Sequence, residues 1–177
     1  MVFPLRVLLV IIAIAFLGLC ASSAEVPTLP QMSSDAIKQL TSECHQGKGE
    51  ICTLLGAMYA DGRGVAKDEK RAVEVFQRGC DSGSAGACTA LAGMYEQGRG
   101  VAKDEKQAGE LHRRAAPLYE QACDTGSSGA CWALGRMYAE GSGVTKDETR
   151  AAQLFKQACD KGATKACDAL KKLKEKP

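Results

Sequence analysis

CDSGSAGAC, residues 80–88, carries two cysteines with seven residues between them. The arrangement recurs as CHQGKGEIC (44–52), CDTGSSGAC (123–131) and CDKGATKAC (159–167). A disulfide needs its two Cα atoms within about 7 Å. In one straight α-helix, residues eight apart are separated by about 12 Å along the axis. Cysteines paired at this spacing therefore require the chain to turn back between them. Gly83, Gly86, Gly126, Gly129 and Gly162 suit such a reversal. Spacing alone leaves other pairings open. The local set, Cys44–Cys52, Cys80–Cys88, Cys123–Cys131 and Cys159–Cys167, closes the shortest loops and repeats one geometry four times. It is the set expected here, each bridge stapling the end of one helix to the start of the next.

The cysteines belong to a longer repeat. After Cys52, Cys88 and Cys131 the chain reads CTLLGAMYADGRGVAKDE, CTALAGMYEQGRGVAKDE and CWALGRMYAEGSGVTKDE. The unit is 36 residues long from Cys44 to Cys80 and from Cys123 to Cys159, and 43 from Cys80 to Cys123. A recurrence of this length marks a helical solenoid. Each unit reads as two helices. Helix A starts at the second cysteine of a pair, with Leu at +3, Gly or Ala at +4 and Tyr at +7 on one face. The Gly-x-Gly turns at 62–64, 98–100 and 141–143 end it. Helix B starts at Lys-Asp-Glu, with Asp68, Asp104 and Asp147 as N-caps. It then turns Ala72, Val75 and Phe76, or Ala151, Leu154 and Phe155, toward the core.

The fold class is therefore all-α, an α/α superhelical solenoid of disulfide-stapled helix pairs. Units fall at about 52–87, 88–130 and 131–166 within a repeat domain of 33–177. Half-unit caps flank them at 33–51, a lone helix B capped by Ser33 or Ser34, and at 167–175, a polar lone helix A. Eight helices in four hairpins result. The middle helix B holds about seven extra residues near LHRRAAP (111–117), and Pro117 is expected to kink it.

The N-terminus places the chain in a compartment. Arg6, the apolar run 7–19 and the small residues CASSA (20–24) form the layout of a secretory signal peptide, residues 1–24, cleaved after Ala24. Residues 25–32 form a short linker. The apolar run is shorter than the roughly 20 residues that span a bilayer, so no membrane span is expected in the mature chain. A lipoprotein attached at Cys20 is the less favoured reading, because Leu19 precedes it. Cleavage removes Cys20 and leaves eight cysteines, all in the four pairs. Such a chain belongs to an oxidising space, periplasmic or extracellular. With 23 Lys and Arg against 21 Asp and Glu, no basic field is present to hold nucleic acid.

The stretches GAMYADGRGVAKDEKRAVEVFQRGC (56–80) and GRMYAEGSGVTKDETRAAQLFKQAC (135–159) resemble Sel1-like repeats, relatives of the tetratricopeptide repeats. The seven-residue gap between cysteines is similar to that of the secreted, cysteine-rich branch of the family. The resemblance runs over about 33–175. It implies a superhelix with helices A lining the concave side, and a scaffold or adaptor role. Some members of that branch are described as weak β-lactamases or penicillin binders. A weak β-lactam or cell-wall-fragment binder with low hydrolytic activity is therefore the alternative to a scaffold.

The residues themselves offer little catalytic chemistry. Serine β-lactamases need Ser-x-x-Lys with Ser-Asp-Asn and Lys-Thr-Gly, and this chain has none of the three. The only histidines, His45 and His112, lack evident partners in sequence and are expected to be solvated. Cysteines seven residues apart suit zinc poorly, and no Cys-x-x-Cys redox motif occurs. No cofactor, metal or catalytic residue is assigned. The constant Tyr59, Tyr95 and Tyr138, with Met58, Met94 and Met137, read as packing between units. Positions that differ between units are the better ligand candidates. These are Thr53, Thr89 and Trp132 at +1, Ala57, Gly93 and Arg136 at +5, and Ala60, Glu96 and Ala139 at +8. Those offsets share one face of helix A. Trp132 and Arg136, one turn apart and of types enriched in binding hot spots, head the site, with Glu96, Thr53 and Thr89 beside them. The expected product is a monomeric, exported scaffold binding a protein or peptide through its concave helix-A face.

The mature protein should begin at Glu25. Alkylation without reduction should leave its mass unchanged, and alkylation after reduction should add eight adducts. An adduct before reduction would reveal a cysteine outside the four bridges.

Overall fold

The computed structural model describes residues 32–175. The expected signal peptide, Cys20 and all of the linker but Met32 lie outside the described residues. Eight helices and no strand occur among the described residues. They are α1 (Ser34–His45), α2 (Gly49–Asp61), α3 (Glu69–Asp81), α4 (Ala85–Gln97), α5 (Glu105–Asp124), α6 (Ser128–Glu140), α7 (Glu148–Asp160) and α8 (Thr164–Lys174). Helices A are α2, α4, α6 and the lone α8; helices B are the lone α1, then α3, α5 and α7. Each helix packs on its neighbours in sequence, and α2 also packs directly on α4.

The reversal between helix B and the next helix A is shorter than the spacing of the cysteines implied. Helix B runs one residue past the first cysteine, and helix A begins three residues before the second. Only three residues connect them. At 82–84 the middle one, Gly83, adopts φ +85°, a conformation open chiefly to glycine. Its N–H donates to the Cys80 carbonyl at 3.0 Å, and Ser84 N–H donates to the Gly79 carbonyl at 3.0 Å. Gly47, Gly126 and Gly162 repeat the geometry. Gly86 and Gly129, expected in the reversal, lie inside helices A instead. Ser84 and Ser127 cap those helices, each side chain accepting from the N–H three residues on. Disulfides Cys44–Cys52, Cys80–Cys88, Cys123–Cys131 and Cys159–Cys167 cross the four turns, with Cα separations of 4.5–4.8 Å.

The turn from helix A into helix B has no disulfide and is held by hydrogen bonds and by a valine, Val65, Val101 or Val144, packed on the core. Asp68, Asp104 and Asp147 cap α3, α5 and α7 at 2.9–3.0 Å. The same residues donate their N–H groups to the carbonyls of Tyr59, Tyr95 and Tyr138 at 2.8–3.1 Å. Cys52, Leu55, Ala72 and Phe76 of the first full unit are buried, as are Cys131, Leu134, Ala151 and Phe155 of the third. Gly56 and Gly135 let the phenylalanine rings sit against helix A. A Cβ at Gly56 would lie 2.5 Å from Phe76, and one at Gly135 would lie 2.8 Å from Phe155.

Units are joined by arginines as well as by apolar packing. Arg99, in the Gly-x-Gly turn that follows α4, reaches back one unit. Its Nε donates to Glu69 Oε1 at 2.9 Å and its Nη2 to the Ala60 carbonyl at 3.0 Å. The same loop docks so closely that a Cβ on Gly100, at φ +68°, would collide with the Glu69 carbonyl. Arg114 of α5 donates to Asp81 at the end of α3, 3.0 Å away. The middle helix B has 20 residues against 13 in its counterparts α3 and α7. It remains one continuous helix through Pro117.

Two predictions concern stability. Gly100→Ala combines left-handed strain with a backbone collision and should cost about 2–4 kcal/mol in denaturant unfolding. Gly93→Ala, mid-helix with open space around it, should stabilise by about 0.5 kcal/mol.

The second concerns pH. Bonds from Lys67 and Arg99 hold the Glu69 carboxyl below its usual range, and bonds from Gln77 and Arg114 do the same for Asp81. Folding favours their ionised forms, so this stabilisation is full above the unfolded value near 4 and is lost as pH falls through the lower folded value. Burial raises the Tyr119 hydroxyl, despite its bond to Thr89, so folding favours its neutral form. That contribution is full below about pH 10 and fades as pH rises through the raised folded value. The thermal midpoint should fall at both extremes, and an Arg99→Gln, Arg114→Gln protein should show a flatter acid limb.

Candidate functional site

A cleft of 580 Å³ opens between α6 and α8. Its floor is Phe155 of α7, its far wall Ala169 and Leu173 of α8, and its near wall Trp132 and Arg136 of α6. The turn capped by Ser127 sets where α6 begins, and so aims Trp132, four residues into the helix, at α8. The indole is half-buried. Two cations flank it: the Arg136 guanidinium lies 5.3 Å and the Lys165 ammonium 6.0 Å from the ring centre. Such contacts hold a cation over the negative face of the ring. Arg136 is itself oriented by a forked pair of bonds to Glu140, at 2.9 and 3.2 Å to its two oxygens. The result is an apolar trough with a charged rim, a surface suited to a side chain that is apolar in its body and polar at its end.

The other candidate residues have different surroundings. Thr53 donates its hydroxyl to the Gly49 carbonyl and lies 2.9 Å from Ser84 Oγ, the cap of the next helix A. Ser84 is buried and also donates to Glu50 at 3.0 Å. Thr89 donates to the Ala85 carbonyl and lies 2.9 Å from the Tyr119 hydroxyl. The +1 position therefore makes contacts between helices in the first two units and lines the open cleft in the third. Glu96 is exposed, but its carboxylate lies 3.0 Å from His112 Nε2. Trp132 and Arg136 are brought together; Thr53, Thr89 and Glu96 stand on other helices.

His112 departs from expectation. Its side chain is 12% exposed rather than solvated, and Nδ1 is buried with no hydrogen-bond partner among the described residues. The sequence holds the signal. Counting 24 residues from Cys52, Cys88 and Cys131 gives Phe76, His112 and Phe155, and counting four gives Gly56, Ala92 and Gly135. The middle unit thus has histidine where the others have phenylalanine, and alanine where the others have the glycine beneath the ring. Counting back four from the next cysteine gives Phe76, Tyr119 and Phe155. The seven extra residues place His112 and Tyr119 two turns apart on one face of α5, so both occupy a phenylalanine register. His45, by contrast, is exposed.

Among the described residues no group of three His, Cys, Asp or Glu is arranged to hold a metal ion. No helix among them is long and apolar enough to cross a membrane.

Comparison with known proteins follows this geometry. The Sel1 repeat model matches at 50–84, 85–116 and 128–162. No curated protein matches the chain. Among solved structures, a Sel1 repeat protein from Oxalobacter formigenes is 28% identical with a TM-score of 0.53, the match covering 77% of this chain and 98% of that one. Cysteine rich protein B of Helicobacter pylori is 27% identical with a TM-score of 0.49, over 77% of this chain and 92% of that one. The three matched segments cover more than half of the sequence and coincide with the repeated helical hairpins. The chain belongs to the Sel1 repeat family.

Proposed function

We propose that this protein is an exported scaffold, periplasmic or extracellular, that binds a segment of another polypeptide on its helix-A face. The cleft between α6 and α8 is its anchoring site. The observation that carries this reading is Trp132, a large aromatic left half-open in a trough with cations at its edge, while the equivalent Thr53 and Thr89 are engaged between helices. Aromatic and arginine anchors at the centre of a concave patch dominate binding energies in protein interfaces. A repeat frame supports the role in a second way: constant positions maintain the array, so one variable face is free to specify a ligand. Four disulfides favour an oxidising compartment.

Trp132 is the only tryptophan in the chain, so its emission reports on the cleft directly. Oxidised protein fixed to a resin should retain a partner from extract of its own compartment, and the purified partner should shift Trp132 emission. Trp132→Ala with Arg136→Ala should weaken binding at least tenfold while the thermal midpoint moves little. Unchanged binding by a folded double variant would remove the cleft from the proposal.

A further inference from the structure

One arginine recurs nine residues before the first cysteine of a pair, as Arg71, Arg114 and Arg150. In two cases it pairs with an acid on the preceding helix B. Arg114 Nη2 lies 3.0 Å from Asp81 Oδ1, and Arg150 Nη2 lies 3.5 Å from Glu120 Oε1. The acids hold fixed places in the repeat: Asp81 follows its cysteine by one residue, and Glu120 precedes its cysteine by three. In α1 those places are His45 and Thr41. Thr41 donates its hydroxyl to the Ile37 carbonyl of its own helix. Neither place holds a carboxylate, and the Arg71 guanidinium makes no hydrogen bond or ion pair among the described residues. It lies over the Tyr59 ring instead, 4.9 Å from its centre.

Further groups converge on the same groove. Arg78, two turns along α3, also lines it, and its guanidinium too is without a partner among the described residues. The equivalent positions of α5 and α7 are Gln121 and Gln157, so this second cation is particular to the first groove. Tyr59 is 7% exposed, yet its hydroxyl has no hydrogen-bond partner among the described residues, and the residue lines the groove along both of its parts. Around Arg78 the groove measures 170 Å³, and it widens to 620 Å³ toward Ile37 and Lys38. Lys38 is paired with Asp35, and Glu74 is the acid among the lining residues.

We propose that the groove between α1 and α3 binds an extended acidic segment of polypeptide, whose carboxylates occupy the places that Asp81 and Glu120 fill in the later units. A guanidinium takes a carboxylate through two parallel N–H bonds, and Tyr59 supplies a third donor beside Arg71. Residues seven apart on a helix are separated by about 10 Å along its axis. A chain in the extended polyproline II conformation covers that distance in three residues, at about 3.1 Å each, and presents the same face every third residue. Two acids with two residues between them thus match Arg71 and Arg78, while the half-buried Val75 offers apolar contact to what lies between. The length of the groove favours a peptide over a small anion. The site lies between helices B and does not depend on the Trp132 cleft.

The test uses fluorescein-labelled hexaglutamate, followed by anisotropy against the oxidised protein, with hexalysine as the charge control. Hexaglutamate should bind saturably and hexalysine should not. Arg71→Gln and Arg78→Gln should each weaken binding at least tenfold, and Tyr59→Phe about threefold. Arg63→Gln, an exposed arginine elsewhere, should change nothing. Thr41→Glu, which rebuilds the internal acid of the α5–α7 groove, should abolish binding without lowering the thermal midpoint. That variant keeps the outcome clear should removal of Arg71 disturb the fold. Absence of saturable binding, or equal weakening by Arg63→Gln, overturns the proposal. Binding that shifts Trp132 emission and ignores both Arg71→Gln and Thr41→Glu overturns it too, by placing the peptide in the other cleft.

Discussion

The three-residue turn from each helix B to the next helix A is the constraint on which the rest of the structure depends. Its middle glycine takes a left-handed conformation, its ends cap two helices, and a disulfide closes it. The crossing of the two helices is thereby set by contacts local in sequence. Each bridge closes a loop of about nine residues, which a chain-entropy model rates at roughly 2.5 kcal/mol. An Ala-rich array with one layer of apolar side chains between neighbours has no deep core to make up for losing that contribution. The helix A to helix B turns carry no such bond and rely on the aspartate caps, the Tyr carbonyls and the packed Val65, Val101 and Val144.

Much of this was legible in the residues because its causes are local. Asp68, Asp104 and Asp147 announce helix starts through a bond to an N–H three residues away, and Leu55, Leu91 and Leu134 mark the buried face by periodicity. The helix-A start was misplaced for an equally local reason. The second cysteine drew attention as a boundary, while the cap was the serine four residues earlier, Ser84 or Ser127. The role of Arg99 had no local sign, because its partners, Glu69 and Ala60, stand a whole unit back. Variation between units picked out Trp132 and Arg136, but not the engagement of Thr53 with Ser84 or of Thr89 with Tyr119, whose partners lie about thirty residues on. His112 was hidden by the extra two turns of α5, where two registers of the repeat overlap.

The two grooves show how one repeat generates different surfaces. Each arises where a position filled in the other units changes. At Trp132 a threonine that would bridge helices gives way to a half-buried indole that lines a cleft. At Arg71 an acid that would neutralise the arginine is replaced by Thr41 and His45. Neither change disturbs the buried Cys, Leu and Ala columns. One lies between helices A near the C-terminal end, the other between helices B near the start of the repeats, so each can change without the other.

The locality of the four bridges also bears on how the molecule is made. Eight cysteines permit 105 complete pairings. Here every correct partner lies eight residues away, and short closures form far more readily than long ones. A chain threaded into an oxidising compartment from its N-terminus would present both members of each pair almost together, before the next pair arrived. Oxidation can then follow the order of emergence, one hairpin at a time. The first hairpins would be covalently set while later ones were still being delivered, and little reshuffling would be needed afterward.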